Sequence, residues 1–243
     1  MLTKQNLRDI KKLAIAIDHD AAFGGKSKGN KHLLRVVAIV EFMAKKMEAD
    51  LPIAVAGAFL HDTALPTGDD YNYETNKKIV KSILKPLCLS KDDVDQIAEC
   101  VASHEGTAKA KSLEAKIVHD ADVLEKTGIL GIIRHTWKLV HSPKTLNLDS
   151  DVTLSKNVFE HLQWRASRLQ TILAKNIHHY LTQGIDMSPD FAQKLVSFIR
   201  PLAKQNIITE NIAKELEQIL TERECKKLEE QLSLEYLNKK FKF

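Results

Sequence analysis

Three times in 243 residues a histidine is followed directly by an aspartate: His19-Asp20, His61-Asp62 and His119-Asp120. Imidazole and carboxylate are metal ligands and proton carriers, so each pair could do chemistry. Only the second follows an apolar helical run (Ile53, Val55, Ala56, Ala58, Phe59, Leu60), which Pro66 then stops. That context puts His61 and Asp62 in the last turn of a buried helix. The unsatisfied carbonyls there carry partial negative charge, and a carboxylate added to them is unfavourable unless a cation is near. A bound metal ion resolves the conflict. Adjacent helical residues point about 100° apart, so other helices must complete its shell.

Candidate partners lie at suitable helical positions. His32 begins "HLLRVVAIVEFM" in line with Val36, Ile39 and Val40, so its ring is expected to face inward. His104 ends "VDQIAECVASHEG" in line with Val94, Ile97 and Val101 and faces the core side. Asp122, in "KIVHDADVLEKTG", shares a helix face with Val118 and Glu125. Asp120 stands four residues after Lys116, where an exposed pair is the default reading. For each histidine taken singly, a hydrogen-bonded core residue is the competing explanation.

The ordered set His32, His61-Asp62, Asp122 resembles the signature of the HD-domain superfamily of metal-dependent phosphohydrolases. "HLLRV" is similar to the first-histidine helix of that family and "AFLHDTA" to its paired residues. "LEAKIVHDADVLEKTGILGIIR" is similar to the segment around its last aspartate. The likeness runs over roughly residues 15 to 140. It implies an all-α fold with a divalent ion between helices, held by His32, His61, Asp62 and Asp122. Asp122 is preferred to Asp120 because in the family the second aspartate of a "DAD" run is usually the ligand. Only His104 and His119 lie between the pair and the last aspartate, so one ion is expected rather than two. "AFGGKSKGNK" replaces the family's short link before the first histidine, and "TALPTGDD" lacks the glutamate that some nucleotidase members carry.

Two imidazoles and two carboxylates are a borderline-to-hard donor set, suited to Mn, Fe, Co, Ni or Mg rather than to a closed structural zinc. Positions left open on such an ion can take a water, whose pKa falls there, and a phosphoryl oxygen. The expected activity is hydrolysis of a phosphomonoester, nucleotide or related small phosphate. Asp62 would bind the ion and orient the water, while His104 would donate a proton or contact the phosphate. His119 is read as either a support of the metal site or a core residue. Arg35, one turn after His32, could reach a phosphate or make a structural ion pair. Lys28, with Lys26 and Lys31 in the glycine-rich "GGKSKGNK", could bind phosphate under a closing loop, although a plain mobile surface loop is the better reading. Asp69 and Asp70 are read as helix caps, and His161, His178 and His179 are given no catalytic role. The rival reading is a non-catalytic signalling or scaffold module that keeps the fold and a structural ion.

The elements that must position these residues are helices. Apolar content is 44%, aromatics are 6%, and Gly and Pro are few, which favours helices over a sandwich or barrel. Stripes at helical spacing recur, as in Leu7, Ile10, Leu13, Ala14, Ile17 and in Val36, Ile39, Val40, Met43, Met47. Helix starts are marked by Pro52, Ser90, Ser112 and Ser188-Pro189, and Gly128 and Gly184 look like C-terminal caps. We read a catalytic core of residues 1–150 and a helical C-terminal extension, 151–243, packed on the core or continuing it. The extension should hold one long helix through "SKNVFEHLQWRASRLQTILAKNIHHYLTQG", a shorter one, and a terminal helix carrying Ile208, Ile212, Leu216, Ile219 and Leu220. The terminal helix could pair two subunits in a homodimer. A net charge of +4 suits a small anionic substrate and gives no long basic stripe for nucleic acid. Three cysteines without a C-x-x-C pair, and no apolar run long enough to span a bilayer, point to a cytoplasmic protein.

Overall fold

The computed structural model describes residues 2–18, 31–105, 109–141, 150–183, 186–205 and 207. Among these, every regular element is a helix: α1 (Lys4–Ile17), α2 (Lys31–Lys46), α3 (Leu51–Leu60), α4 (Tyr73–Leu84), α5 (Lys91–Ala102), α6 (Leu113–Glu125), α7 (Gly128–Val140), α8 (Asp151–Ser167), α9 (Ile172–Thr182) and α10 (Pro189–Lys204). None is long and apolar enough to cross a membrane. The expected loop 23–31 up to Asn30, Gly184, Cys225 and the terminal helix lie outside the described residues.

Helix α3 is central because its sequence has no polar face. Every residue from Ile53 to Leu60 is buried, as an all-apolar helix requires. It packs against α1, α2, α5 and α6. Asp50 accepts the Ile53 amide at 3.1 Å and starts it, with Pro52 in the first turn. The predicted stripe on α2 is recovered: Val36, Ile39, Val40 and Met43 are fully buried. Helix α6 is buried from Ile117 to Glu125, so its polar residues must find partners inside the protein. Between α3 and α5 the backbones come so close that a Cβ added to Gly57 would lie 2.5 Å from Cys100 Cβ. Only a glycine fits this crossing.

Ser90, Ser112 and Ser188 cap α5, α6 and α10 as expected, each accepting from a backbone amide three residues on. Three local expectations are corrected. Gly128 does adopt φ 66°, but it is the first residue of α7 rather than the end of α6, which closes at Lys126. Asn72, not Asp69 or Asp70, caps α4, accepting from Glu74 and Thr75. The single long helix after residue 154 is two, α8 and α9, parted at residues 168–171.

Asp120 explains that break. Far from forming an exposed pair with Lys116, it is completely buried. It accepts the amides of Gln170 and Thr171 at 2.8 Å each and the Thr171 hydroxyl at 2.7 Å. Neighbouring His119 reaches the Arg168 carbonyl at 3.3 Å and the His104 carbonyl at 2.7 Å. One turn of α6 thus seizes the α8–α9 link and outbids the helical hydrogen bonds there. Helices α8 and α10 pack on α7 and on each other.

Candidate metal centre and its adjoining cleft

Three imidazoles are aimed by their Nδ1 atoms. His61 Nδ1 donates to the Ala58 carbonyl at 2.8 Å, His104 Nδ1 to the Val101 carbonyl at 2.6 Å, and His32 Nδ1 to Glu125 Oε2 at 2.6 Å. Each bond fixes a ring and leaves Nε2 for another partner. Two of those nitrogens meet: His61 Nε2 lies 3.2 Å from His32 Nε2. Asp62 Oδ2 is 3.2 Å from the first and 3.3 Å from the second. Asp122 Oδ1 is 3.5 and 3.4 Å from the same two atoms. The ligand atoms of His32, His61 and Asp122 all fall within 4.8 Å of one another.

These spacings fit a metal ion. Ligand bonds of about 2.0 to 2.2 Å set neighbouring donors about 3.0 Å apart in an octahedral shell and about 3.5 Å apart in a tetrahedral one. Asp122 Oδ1 is buried without a hydrogen bond, although Lys126 Nζ lies 2.7 Å away. His104 Nε2, 3.6 Å from Asp62 Oδ1, is likewise buried and unbonded. Protonation echoes the demand for positive charge. Burial alone would lower the His61 pKa, but Asp62 and Asp122 outweigh it and raise it to about 9. For His32, Glu125, Asp122 and Asp62 likewise overcome burial and lift the pKa well above 6.5. Burial opposes ionisation of Asp62 and Asp122 too, yet the facing imidazoles, joined at Asp122 by Lys126, hold both well below the carboxylate range.

Arg35 is buried and directed at Glu125, with Nε 2.7 Å from Oε1 and a terminal nitrogen also on that oxygen. Of the two readings offered for Arg35, this placement is the structural pair. Against burial, Arg35 and His32 keep Glu125 ionised below its usual range. Glu125 therefore links Arg35 to His32 in a carboxylate–histidine arrangement that orients the ring. Lys28 lies outside the described residues.

A cleft, partly open to solvent, runs from His32 and Asp62 along α7 and α8. Its far wall holds groups the sequence did not single out. Arg165, on α8, donates from Nε to His161 at 2.8 Å, from one terminal nitrogen to Glu105 at 2.6 Å, and approaches Asp122 Oδ2 at 3.4 Å with the other. His161, given no role above, lines this cleft and stacks flat on His135 with ring centroids 3.8 Å apart. Both rings stay neutral. Burial, then His161 and Lys138, push His135 down to about 2; burial, then Arg165 and Lys138, push His161 to about 4. Lys126 and Lys138 complete the wall. A weak signal existed for two of these groups: Glu125 and Lys126 stand three and four residues after Asp122, on the same helical face.

Among curated proteins none matches the chain. Solved structures do. The crystal structure of Bacillus subtilis YpgQ is 19% identical, with TM-score 0.52, and covers 83% of this chain and 95% of its own. The same protein in complex with ADP is 19% identical, with TM-score 0.50, covering 82% and 97%. At that identity the likeness is one of fold. Residues 30–127, which hold His32, His61, Asp62 and Asp122, match the family model of the HD domain, a match consistent with the HD-domain superfamily of metal-dependent phosphohydrolases.

Proposed function

We propose that the protein hydrolyses a small phosphate, a phosphomonoester, nucleotide or related compound, with one divalent ion held by His32, His61, Asp62 and Asp122. One observation carries the reading: donor atoms spaced for a metal open onto a cleft walled by Lys126, Lys138 and Arg165. A cation site beside an anion-attracting wall is what a phosphoryl group needs at both ends.

When bound, the ion would lower the pKa of a water and polarise a phosphoryl oxygen. The chain's own groups do the rest. Glu125 and the Ala58 carbonyl keep His32 and His61 in register. Asp62, with one oxygen toward the imidazoles and the other toward His104, can orient the attacking water. His104 Nε2, with Nδ1 already spent on Val101, is the nitrogen placed to hold or release a proton beside Asp62. The neutral His135–His161 stack offers a flat wall that adds no charge.

The test is metal analysis of the purified protein, then phosphate release from an aryl phosphate and a nucleotide panel, with and without manganese. Adenine nucleotides come first in the panel, since one of the structures of similar fold is a complex with ADP. Manganese-dependent release is the expected result. Bound metal with no turnover on any phosphate would favour the non-catalytic module.

A further inference from the structure

Lys138 projects from α7 into the cleft onto which His32 and Asp62 open. It is half-buried and has no hydrogen bond or ion pair with any described residue. Burial lowers its pKa first, and the groups acting next most strongly are cations, Lys126 and Arg165; Glu105 and Asp70 pull more weakly the other way. A partly desolvated ammonium facing like charge is unfavourable until an anion joins it.

The charges around the cleft suggest which anion. Arg35, Arg134, Lys126, Lys138 and Arg165 are matched in number by Asp62, Asp70, Glu105, Asp122 and Glu125. A divalent ion at the cluster then leaves two positive charges unmatched, the charge of a phosphate dianion. Arg165 is already aimed and immobilised by His161 and Glu105, yet a guanidinium has five N–H donors and these contacts leave some for a ligand.

We propose that Lys138, with Arg165 beside it, forms the subsite that binds a phosphoryl oxygen of the substrate, so that helices beyond the matched 30–127 segment set the affinity for phosphate. That the anion is a substrate rests on the phosphohydrolase reading; that the subsite takes phosphate does not. The subsite is built from α7 and α8, and the α6 clamp on residues 168–171 holds Arg165 at the wall.

The experiment is calorimetric titration of the full chain with inorganic phosphate, in EDTA and with manganese, for the wild type, Lys138→Gln and Lys138→Arg. Lys138 is the residue to change because removing it strands no partner among the described residues. Loss of one charge-assisted contact should weaken phosphate binding about ten- to a hundredfold in Lys138→Gln, with most of it restored in Lys138→Arg. Manganese affinity should stay the same in both. Wild-type phosphate affinity in Lys138→Gln would overturn the proposal, as would joint loss of phosphate and manganese binding, which would make Lys138 a prop of the cluster. Aryl phosphate hydrolysis by the wild type forms a separate arm. Failure there sinks the phosphohydrolase reading, while Lys138-dependent phosphate binding in EDTA would still support the subsite.

Discussion

The two sides of the cleft are assembled by different physics. On the metal side, His61 and His104 are held by carbonyls three residues earlier in their own chain segments, and His32 by a single carboxylate. On the basic side, Arg165 is held by Glu105, sixty residues away, and by Asp122. Local anchoring makes the metal side robust once its helices form. Long-range anchoring makes the basic wall depend on α8 being docked, and docking depends on α6 through His119 and Asp120.

The sharpest way to break this comparison is to remove a ligand. Asp62→Ala is expected to abolish phosphate release and metal content while leaving far-ultraviolet circular dichroism near wild type, because α3 is already complete at Leu60. Full turnover in that variant would refute the metal side altogether. The next largest effect belongs to the other wall. Arg165→Leu leaves Glu105 buried without its cation and should lower stability by about 3 to 5 kcal/mol in urea unfolding, with much of this recovered when Glu105→Leu is added. A loss below about 1 kcal/mol would mean that the pair is solvated and the wall is not fixed by it.

A smaller effect separates two aspartates that stand two residues apart in sequence and so face opposite sides of α6. Asp120→Asn should cost about 1 to 2 kcal/mol by weakening the bonds to Gln170 and Thr171, with manganese content unchanged. Asp122→Asn should do the reverse, losing metal with little change in fold. If Asp120→Asn also emptied the metal site, the division of labour within α6 would fail.

The last contrast is in pH dependence. In metal-free protein the folded-state pKa of His61 is raised from 6.5 to about 9, so its contribution is full below about 6.5 and is lost as pH climbs through about 9. Asp62 is depressed below 3.8, so its contribution is present above that value and disappears as pH falls. The melting midpoint in EDTA should therefore be highest from about pH 4 to 6.5 and decline by several degrees toward pH 9. With manganese the trend should reverse, since binding displaces protons from the imidazoles. A midpoint in EDTA that is flat from pH 6 to 9 would show that the imidazoles are not proton-loaded.

The metal side was legible in the sequence because its side chains continue apolar stripes. His32 extends Val36, Ile39 and Val40, and His61-Asp62 ends a run with no polar face, so burial could be read from periodicity. The basic wall was not. Arg165 and Lys138 sit on helices where a charged residue is by default solvated, and contacts across forty-three and sixty residues hold Arg165 inside. His161 looked idle for the same reason. The α8–α9 break was equally hidden: residues 168–171, Arg-Leu-Gln-Thr, contain no Gly or Pro, and the signal that ends the helix is Asp120, fifty residues upstream. Tertiary contacts overrode local preference there.

Gly57 gives the site an adjustment screw that bears no functional group. His61 follows it by one helical turn, and His104 follows Cys100 by one turn, so the contact between α3 and α5 lies directly beneath both rings. Whatever thickens that contact pries His61 from His104, changing the gauge between a metal-facing ring and its neighbour without altering a charge, a donor or an acceptor. The hydrogen atom at position 57 is in this sense a dimension of the metal site.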